Sequence, residues 1–208
     1  MNIVIAEDHA IVRMGLVALL EGEPEWSVVA QVDALDGIRP AVEKHAPDVL
    51  VVDYSMPGGD TFATSTWLRR RYEDLRVVVL TGMQSPIVLR RLMDSPLDGL
   101  LHKTGDVEEL VDAIRAVTAD RRYVSRDIEE RVAETAIDLS ERELQTLGLI
   151  VQGLPRSEVA ARLGISAETV KSHRKRLMAK LDVHTTAALV DKARELGLTT
   201  PDGSSESS

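Results

Sequence analysis

The sequence predicts an α/β domain with a five-stranded parallel sheet, followed by a smaller all-α domain of four helices. Over the first 118 residues, short runs of Val, Ile and Leu alternate with helix-like segments, and polar residues follow several of these runs directly. From Leu139 onward the pattern is entirely helical. Continuous aliphatic runs are typical of parallel strands that helices cover on both faces.

The first domain is predicted over 1–118. Its strands are expected at 2–6, 27–31, 48–52, 76–80 and 99–101, and its helices at about 9–20, 36–45, 60–73, 86–93 and 106–118. Such an alternation implies a parallel sheet with right-handed crossovers.

A linker is predicted over 119–138, and part of it is expected to be helical because Val124, Ile128 and Val132 recur every four residues. The second domain, 139–198, has predicted helices at about 141–152, 156–163, 167–181 and 185–196. Ser140, Ser166 and Thr185 stand at their starts as capping residues. The tail, 199–208, is rich in serine and predicted to be disordered.

Composition excludes several classes of protein. The chain has no cysteine, which excludes disulfides, thiol catalysis and cysteine-bound metals. No apolar stretch approaches the roughly 20 residues that cross a bilayer, so we expect a cytoplasmic protein with no membrane partner. The formal net charge of −9 divides into −8 over 1–118, −2 over 119–138, +3 over 139–198 and −2 over 199–208. Only the second domain is therefore suited to nucleic acid.

Polar residues follow four of the predicted strands. They are Glu7, Asp8, Asp53, Thr81 and Lys103. The carboxyl ends of parallel strands share one edge, where open α/β folds bind ligands. An aspartate can act as a nucleophile toward phosphorus, Mg²⁺ prefers carboxylate oxygens, and a lysine supplies a positive charge to phosphoryl oxygens. The pattern therefore predicts a site for Mg²⁺ and a phosphoryl group.

The motifs MNIVIAEDHAIVR, VLVVDYSMPGGD, VVVLTGM and DGLLHK together resemble the receiver domain of bacterial response regulators, a flavodoxin-like fold. The resemblance implies that Asp53 is the phosphoacceptor. It also implies binding residues around Asp53: Glu7, Asp8, Asp53 and Ser55 for Mg²⁺, and Thr81 and Lys103 for the phosphoryl group. Ser55 would act through its backbone carbonyl, and Glu7 through water.

Two positions depart from the receiver pattern. Leu100 stands three residues before the lysine, where receivers usually have an aromatic residue, and Thr104 stands where proline is common. Leu100 puts in doubt the usual coupling between hydroxyl and aromatic side chain.

The run LSERELQTLGLIVQGLPRSEVAARLGISAETVKSHRKRLMAKLDVHTTAALV resembles the LuxR-type helix-turn-helix. Lys171, Arg174 and Lys175 would form an exposed basic stripe that fits a helix in the major groove of DNA. The resemblance implies that Lys171, Ser172 and Lys175 read bases and that Thr169, Arg174 and Arg176 contact phosphates.

This domain also has two departures from its family pattern. Pro155 replaces a usual serine cap, which weakens the cap without breaking the helix, and Arg174 replaces a small apolar residue.

Together the halves resemble a NarL/FixJ-type response regulator, with a weaker resemblance to the capsule-synthesis regulator branch. The expected function is phosphorylation-controlled, sequence-specific DNA binding that regulates transcription, without enzymatic activity. The expected partners are a sensor histidine kinase or another phosphodonor, the DNA major groove and a second copy of the chain, with Ala187, Val190 and Ala193 as a plausible dimer face.

Three alternatives remain open at this point. The chain could be a phosphate-independent DNA binder with a vestigial receiver, which Leu100 would support. It could be an aspartyl-phosphate phosphatase, which Ser55 disfavours because such enzymes commonly have a second aspartate there. An RNA-binding antiterminator is disfavoured by the lack of aromatic stacking residues in the second domain.

Overall fold

The computed structural model describes residues 1–134, 137–196 and 198 of the chain. The tail predicted to be disordered, 199–208, lies outside the described residues. Within them, two compact units are found. The first comprises Met1–Gly82 and Leu92–Glu130, and the second comprises Met83–Arg91 and the chain from Arg131 onward.

Strands and helices alternate through the first part of the chain, as the aliphatic runs predict. The strands are β1 (Asn2–Ala6), β2 (Ser27–Val32), β3 (Val49–Asp53), β4 (Arg76–Thr81), β5 (Gly99–His102) and β6 (Tyr123–Val124). The helices are α1 (Ala10–Glu21), α2 (Leu35–His45), α3 (Thr61–Arg71), α4 (Pro86–Met93) and α5 (Val107–Thr118).

The sheet is parallel throughout, with strand order β2-β1-β3-β4-β5-β6. The prediction of five strands is corrected to six, because the two-residue strand β6 pairs with β5 through Gly99↔Tyr123 and Leu100↔Val124. β6 lies in the segment predicted to be a linker, and so does the helix α6 (Arg126–Ala133).

Every residue of β3 is buried, as are the last four residues of β1 and the last five of β4. Ile3, Ile5, Val51 and Val78 lie in one core cluster with residues of α1 and α5. This burial on both faces explains why the strands lack polar alternation. It also fixes the carboxyl edge of the sheet, where Asp53 is located.

The helical region contains α7 (Glu141–Val151), α8 (Arg156–Leu163), α9 (Ala167–Lys180) and α10 (Thr186–Glu195). Side chains of Ser140, Ser166 and Thr185 each accept a backbone N–H at a helix start, and Ser140 forms a full capping box with Glu143. Pro155 precedes α8 without a side-chain cap, as predicted. The larger core of this unit contains Leu147, Leu177 and Leu189, together with Ile87 of α4.

Within the described ranges, no helix combines the length and apolar character required to cross a membrane.

Candidate functional site

Side chains from three strand ends meet at the carboxyl edge of the sheet. Glu7 follows β1, Asp53 ends β3 and Lys103 follows β5. The ammonium nitrogen Nζ of Lys103 lies 2.8 Å from Glu7 Oε2 and 2.9 Å from Asp53 Oδ2. Glu7 and Asp53 are 0% and 1% exposed, so Lys103 bridges two buried carboxylates.

The acidic residues are close enough to share one ligand. Ligand atoms of Glu7, Asp8, His9 and Asp53 all lie within 4.8 Å of one another. The structure thus brings together the three carboxylates predicted from sequence.

His9 was missed from the sequence. Its Nδ1 lies 3.0 Å from Glu7 Oε1 and 2.9 Å from Asp8 Oδ1. The hydrogen bond with Glu7, followed by the charge of Asp8, raises the pKa of the imidazole. Its position directly after Glu7 and Asp8 was the available signal.

The donor set fits Mg²⁺. The carboxylates of Glu7, Asp8 and Asp53 carry three negative charges, whereas Lys103 supplies one positive charge. Two negative charges remain when His9 is neutral, and a divalent cation would match them. Oxygen ligands with one or two direct carboxylates are the usual environment of Mg²⁺ in proteins.

Asp53 is held in place by its neighbours. The backbone N–H of Ser55 donates to Asp53 Oδ1 at 3.1 Å, and the N–H of Tyr54 donates to the carbonyl of Leu80 at 2.8 Å. Position 55 therefore presents a backbone donor to Asp53 and has no carboxylate that could serve as the general acid of a phosphatase.

Burial and charge act in opposite directions on the titration of this site. Burial raises the pKa of Asp53 above its ordinary value, although Lys103 and the Ser55 N–H partly offset this effect. For Lys103, burial alone would lower the pKa, but the hydrogen bonds to Glu7 and Asp53 outweigh it and raise the pKa. Lys103 therefore keeps its positive charge beside the two carboxylates.

Thr81 is fully buried at the end of β4, the strand between β3 and β5. The backbone N–H of Lys103 donates to its carbonyl at 2.9 Å, which fixes Thr81 and Lys103 beside each other along the edge.

Of the two residues that depart from the receiver pattern, one is buried in the sheet and the other lies on the surface. Leu100 is 1% exposed and pairs with Val79 and Val124 on either side. Thr104 is on the surface, and its hydroxyl lies 3.1 Å from Nδ1 of the buried His102. Neither substitution disturbs the cluster of carboxylates and lysine.

In the second unit, α8 and α9 form a helix-turn-helix. Gly164 adopts the left-handed conformation between them, with φ of 63°, which glycine tolerates best. The hydroxyl of Ser166 then accepts the N–H of Thr169 at 3.0 Å and begins α9. Val170 and Leu177 anchor α9 in the interior.

The six residues predicted to contact DNA are all exposed: Thr169, Lys171, Ser172, Arg174, Lys175 and Arg176. Lys171 forms an ion pair with Glu168 at 3.1 Å, but both side chains are exposed, so the pair is weak and can be exchanged for a DNA contact. His173 is partly buried and belongs to no cluster of potential metal ligands among the described residues, which favours a packing role over metal binding.

An ion pair between a buried carboxylate and a partly exposed lysine, not foreseen from sequence, ties α9 to α7. Glu143 Oε2 lies 2.7 Å from Nζ of Lys180 and also accepts the backbone N–H of Ser140 at 2.8 Å. Burial alone would raise the pKa of Glu143, but these hydrogen bonds lower it. The residue that completes the capping box of α7 therefore also holds the end of α9.

Two family models match these two regions. Residues 3–115 match the response regulator receiver domain, and residues 138–193 match the bacterial regulatory proteins of the luxR family. The chain belongs to the NarL/FixJ-type response regulators. It is accordingly a sequence-specific DNA-binding transcriptional regulator of a two-component system.

Relatives of this NarL/FixJ-type regulator align over nearly its full length. Response regulator UvrY of Escherichia coli (strain K12) is 30% identical over 207 residues, which cover 95% of each protein. Oxygen regulatory protein NreC of Staphylococcus epidermidis is 33% identical over 213 residues, which cover 93% of this chain and 96% of NreC.

A solved structure gives a similar result. RcsB from Salmonella enterica serovar Typhimurium, bound to the promoter P1flhDC in the presence of phosphomimetic BeF₃⁻, aligns with a TM-score of 0.74 at 28% identity. The alignment covers 94% of this chain and 98% of RcsB.

The predicted dimer face on α10 is wrong in part. Ala193 is 0% exposed and lies in the core, and Val190 packs against the same core. Only Ala187 of the three is exposed. The helix uses this side to pack within its own unit, so Ala193 is not available to a second copy.

Proposed function

We propose that Asp53 is the phosphoacceptor of this regulator and that its phosphorylation controls DNA binding. The observation that supports this most directly is the ion pair of the buried Asp53 carboxylate with Lys103, beside the carboxylates of Glu7 and Asp8. A surface aspartate or one serving only as a helix cap has no reason to be buried among two further carboxylates.

In the proposed reaction, a carboxylate oxygen of Asp53 attacks the phosphorus of a donor. The new O–P bond forms as the bond from phosphorus to the donor breaks, and the leaving group keeps the electron pair. Lys103 stabilises negative charge on the phosphoryl oxygens, and the Thr81 hydroxyl donates to one of them. The Ser55 N–H holds the carboxylate in position before attack.

Asp8, Asp53 and the carbonyl of Ser55 would hold Mg²⁺ directly, and Glu7 would hold it through water. When bound, Mg²⁺ offsets the negative charge of the carboxylates and of the incoming phosphoryl group. The excess of two negative charges in this cluster supports the assignment.

Phosphorylation of Asp53 can be tested with acetyl phosphate, a small phosphodonor, in the presence of Mg²⁺. The wild-type chain should gain one phosphoryl group by intact mass, and Asp53→Asn should gain none. Asp36→Asn is a matched control, since Asp36 is exposed on α2. Equal labelling of Asp53→Asn and the wild type would refute the assignment.

We further propose that α9 lies in the major groove, with Lys171, Ser172 and Lys175 reading bases and Thr169, Arg174 and Arg176 contacting phosphates. The exposure of all six side chains and the net charge of +3 over 139–198 support this. The boundaries 1–118, 119–138 and 139–198 are part of the same proposal.

The phosphodonor in the cell is proposed to be a sensor histidine kinase, and the DNA-bound form a homodimer. Relatives support the dimer, because one structure contains two RcsB dimers bound to two parallel DNAs. Since the proposed ligand is chromosomal DNA, the proposed location is the cytoplasm.

A further inference from the structure

A second concave surface lies at the amino edge of the sheet, opposite the edge that holds Asp53. It is a hollow of about 360 Å³. Arg76 begins β4, Asp98 directly precedes β5 and Arg122 directly precedes β6, and all three line it. Because the strands are parallel, these residues lie at the end of the sheet away from the phosphoryl site. The hollow therefore needs its own explanation.

The lining is unusually rich in arginine. Its charged residues are Arg69, Arg76, Arg121, Arg122, Asp98 and Asp120. Both aspartates are already paired: Asp98 Oδ2 lies 2.7 Å from Arg69 Nε and also accepts the backbone N–H of Val77, and Asp120 pairs with Arg76. In the part of the chain that the structure describes, two of the four guanidinium groups are left without a carboxylate.

Among the described residues, the side chain of Arg122 donates only to neutral acceptors. Its Nε donates to the carbonyl of Leu97 at 3.1 Å, and its Nη2 donates to the carbonyls of Ser95, at 3.3 Å, and Met93. These bonds hold the guanidinium in a fixed place at the rim but do not neutralise its charge.

Arg121 is exposed, and its guanidinium forms no hydrogen bond or ion pair with any residue that the structure describes; only its backbone N–H is engaged, donating to the carbonyl of Ala116 at 3.0 Å. The full charge and all the N–H donors of the guanidinium are available to a ligand. The hollow thus carries two positive charges, on Arg121 and Arg122, that no carboxylate of the described structure neutralises. They directly follow an acidic stretch, because residues 1–118 have a net charge of −8.

We propose that this hollow binds a small multivalent oxyanion of the phosphate type. Guanidinium groups present planar pairs of N–H donors that match phosphate oxygens, and two positive charges without carboxylate partners match a dianion better than a monocarboxylate. Arg121 and Arg122 would contact the ligand directly, while the pairs Arg69–Asp98 and Arg76–Asp120 hold the walls in place. The ligand would connect α3, β4 and the segments before β5 and β6.

Nuclear magnetic resonance of the full-length ¹⁵N-labelled protein can test the site. Inorganic pyrophosphate, added at constant ionic strength without Mg²⁺, should cause saturable shifts in the backbone amides of residues 95, 97, 98 and 120–123. Acetate at the same concentrations should leave these amides unchanged.

Arg121→Gln should weaken pyrophosphate binding at least fivefold. Since the Arg121 side chain has no partner within the described structure, and Gln keeps the backbone N–H that bonds to Ala116, the fold should be unaffected, which the rest of the amide spectrum will report. Arg70→Gln is the matched control, because Arg70 is exposed on the neighbouring helix α3 and outside the hollow, and it should bind as the wild type does.

Two sources of the anion are distinguished by a parallel titration with adenosine 5′-monophosphate. Tighter binding of pyrophosphate would indicate an inorganic anion, and tighter binding of the monophosphate would indicate a phosphorylated metabolite. The proposal is overturned if the shifts do not saturate, if they are confined to α9 or the neighbourhood of Lys103, or if Arg121→Gln binds as tightly as the wild type.

Discussion

The charge on Asp53 is costly to the folded protein until a ligand compensates it. Burial raises the pKa of its carboxyl group despite Lys103. The folded state therefore holds this proton more tightly than the unfolded chain, and this contribution to stability is present at low pH and lost as pH rises through the folded-state pKa. Ionisation of this buried carboxyl group therefore costs the folded state free energy.

Asp53→Asn should therefore stabilise the protein by about 1 kcal/mol at pH 7 without divalent cations, because the amide removes the buried charge while Lys103 keeps its contact with Glu7. Urea denaturation in EDTA measures this. Asp36→Asn should change the free energy of unfolding by less than about 0.5 kcal/mol. If Asp53→Asn instead lowered the free energy of unfolding by about 1 kcal/mol, the result would contradict this account of the site.

Glu143 shows the opposite behaviour. The pKa of its carboxyl is lowered from the usual 4.5, so its contribution to stability is present above the unfolded-state pKa and lost as pH falls through the folded-state pKa. At pH 7, Glu143→Gln should cost about 1 kcal/mol, a modest value because Lys180 is 40% exposed.

Below about pH 4.5 the wild type should lose stability more steeply than Glu143→Gln, as chemical denaturation across pH will show. Glu195→Gln removes an exposed pair with Lys192 and should have little effect. Parallel pH profiles for wild type and Glu143→Gln would exclude a special role for the Glu143–Lys180 pair.

At the scale of the helices, substitutions at two glycines can distinguish the effect of backbone conformation on stability from the effect of packing. A Cβ atom added at Gly148, inside α7, or at Gly164, between α8 and α9, would meet no atom within 4 Å. Gly164 has a φ of +63°, whereas Gly148 has helical geometry. Gly148→Ala should stabilise by about 0.5–1 kcal/mol and Gly164→Ala should destabilise by about 1 kcal/mol, in thermal or chemical unfolding. If both substitutions changed the free energy of unfolding in the same direction, packing rather than backbone conformation would dominate.

Substitutions on α9 should distinguish residues that contact bases from residues that contact phosphates. Lys175→Gln should cost about 1–3 kcal/mol on the preferred site and reduce the preference over random DNA. Arg176→Gln should weaken binding to both DNAs alike and reduce the slope of log affinity against log salt by about 1. Fluorescence anisotropy at several salt concentrations measures both, and exchanged phenotypes would reverse the assigned roles.

Helix positions were predictable because their signals are local. The hydroxyls of Ser140, Ser166 and Thr185 cap the helices expected from the sequence. β6 was not predicted, since a two-residue strand has no periodicity and depends on backbone pairing with β5.

Contacts between distant residues were predictable only where a family pattern or a strand end indicated them. The convergence of Glu7, Asp53 and Lys103 follows from the rule that parallel strands share a carboxyl edge. The Glu143–Lys180 pair joins residues 37 positions apart, and the arginine-lined hollow joins four segments of the chain. Neither has a local signal.

For the whole molecule, charge is separated along the chain: −8 over 1–118 and +3 over 139–198. An acidic protein with a sequence pI of about 5.1 is therefore expected to bind DNA with strong salt dependence through one short basic segment. The acidic first part instead concentrates its chemistry around Asp53, where a new phosphoryl charge can bias a two-state equilibrium.

The most direct test of this account is the affinity for a DNA site, selected from a random pool, measured with and without acetyl phosphate and Mg²⁺. The donor should change the affinity of the wild type at least tenfold and leave that of Asp53→Asn unchanged. The same affinity with and without donor, in a wild-type protein shown by mass to be phosphorylated at Asp53, would contradict phosphorylation-controlled DNA binding.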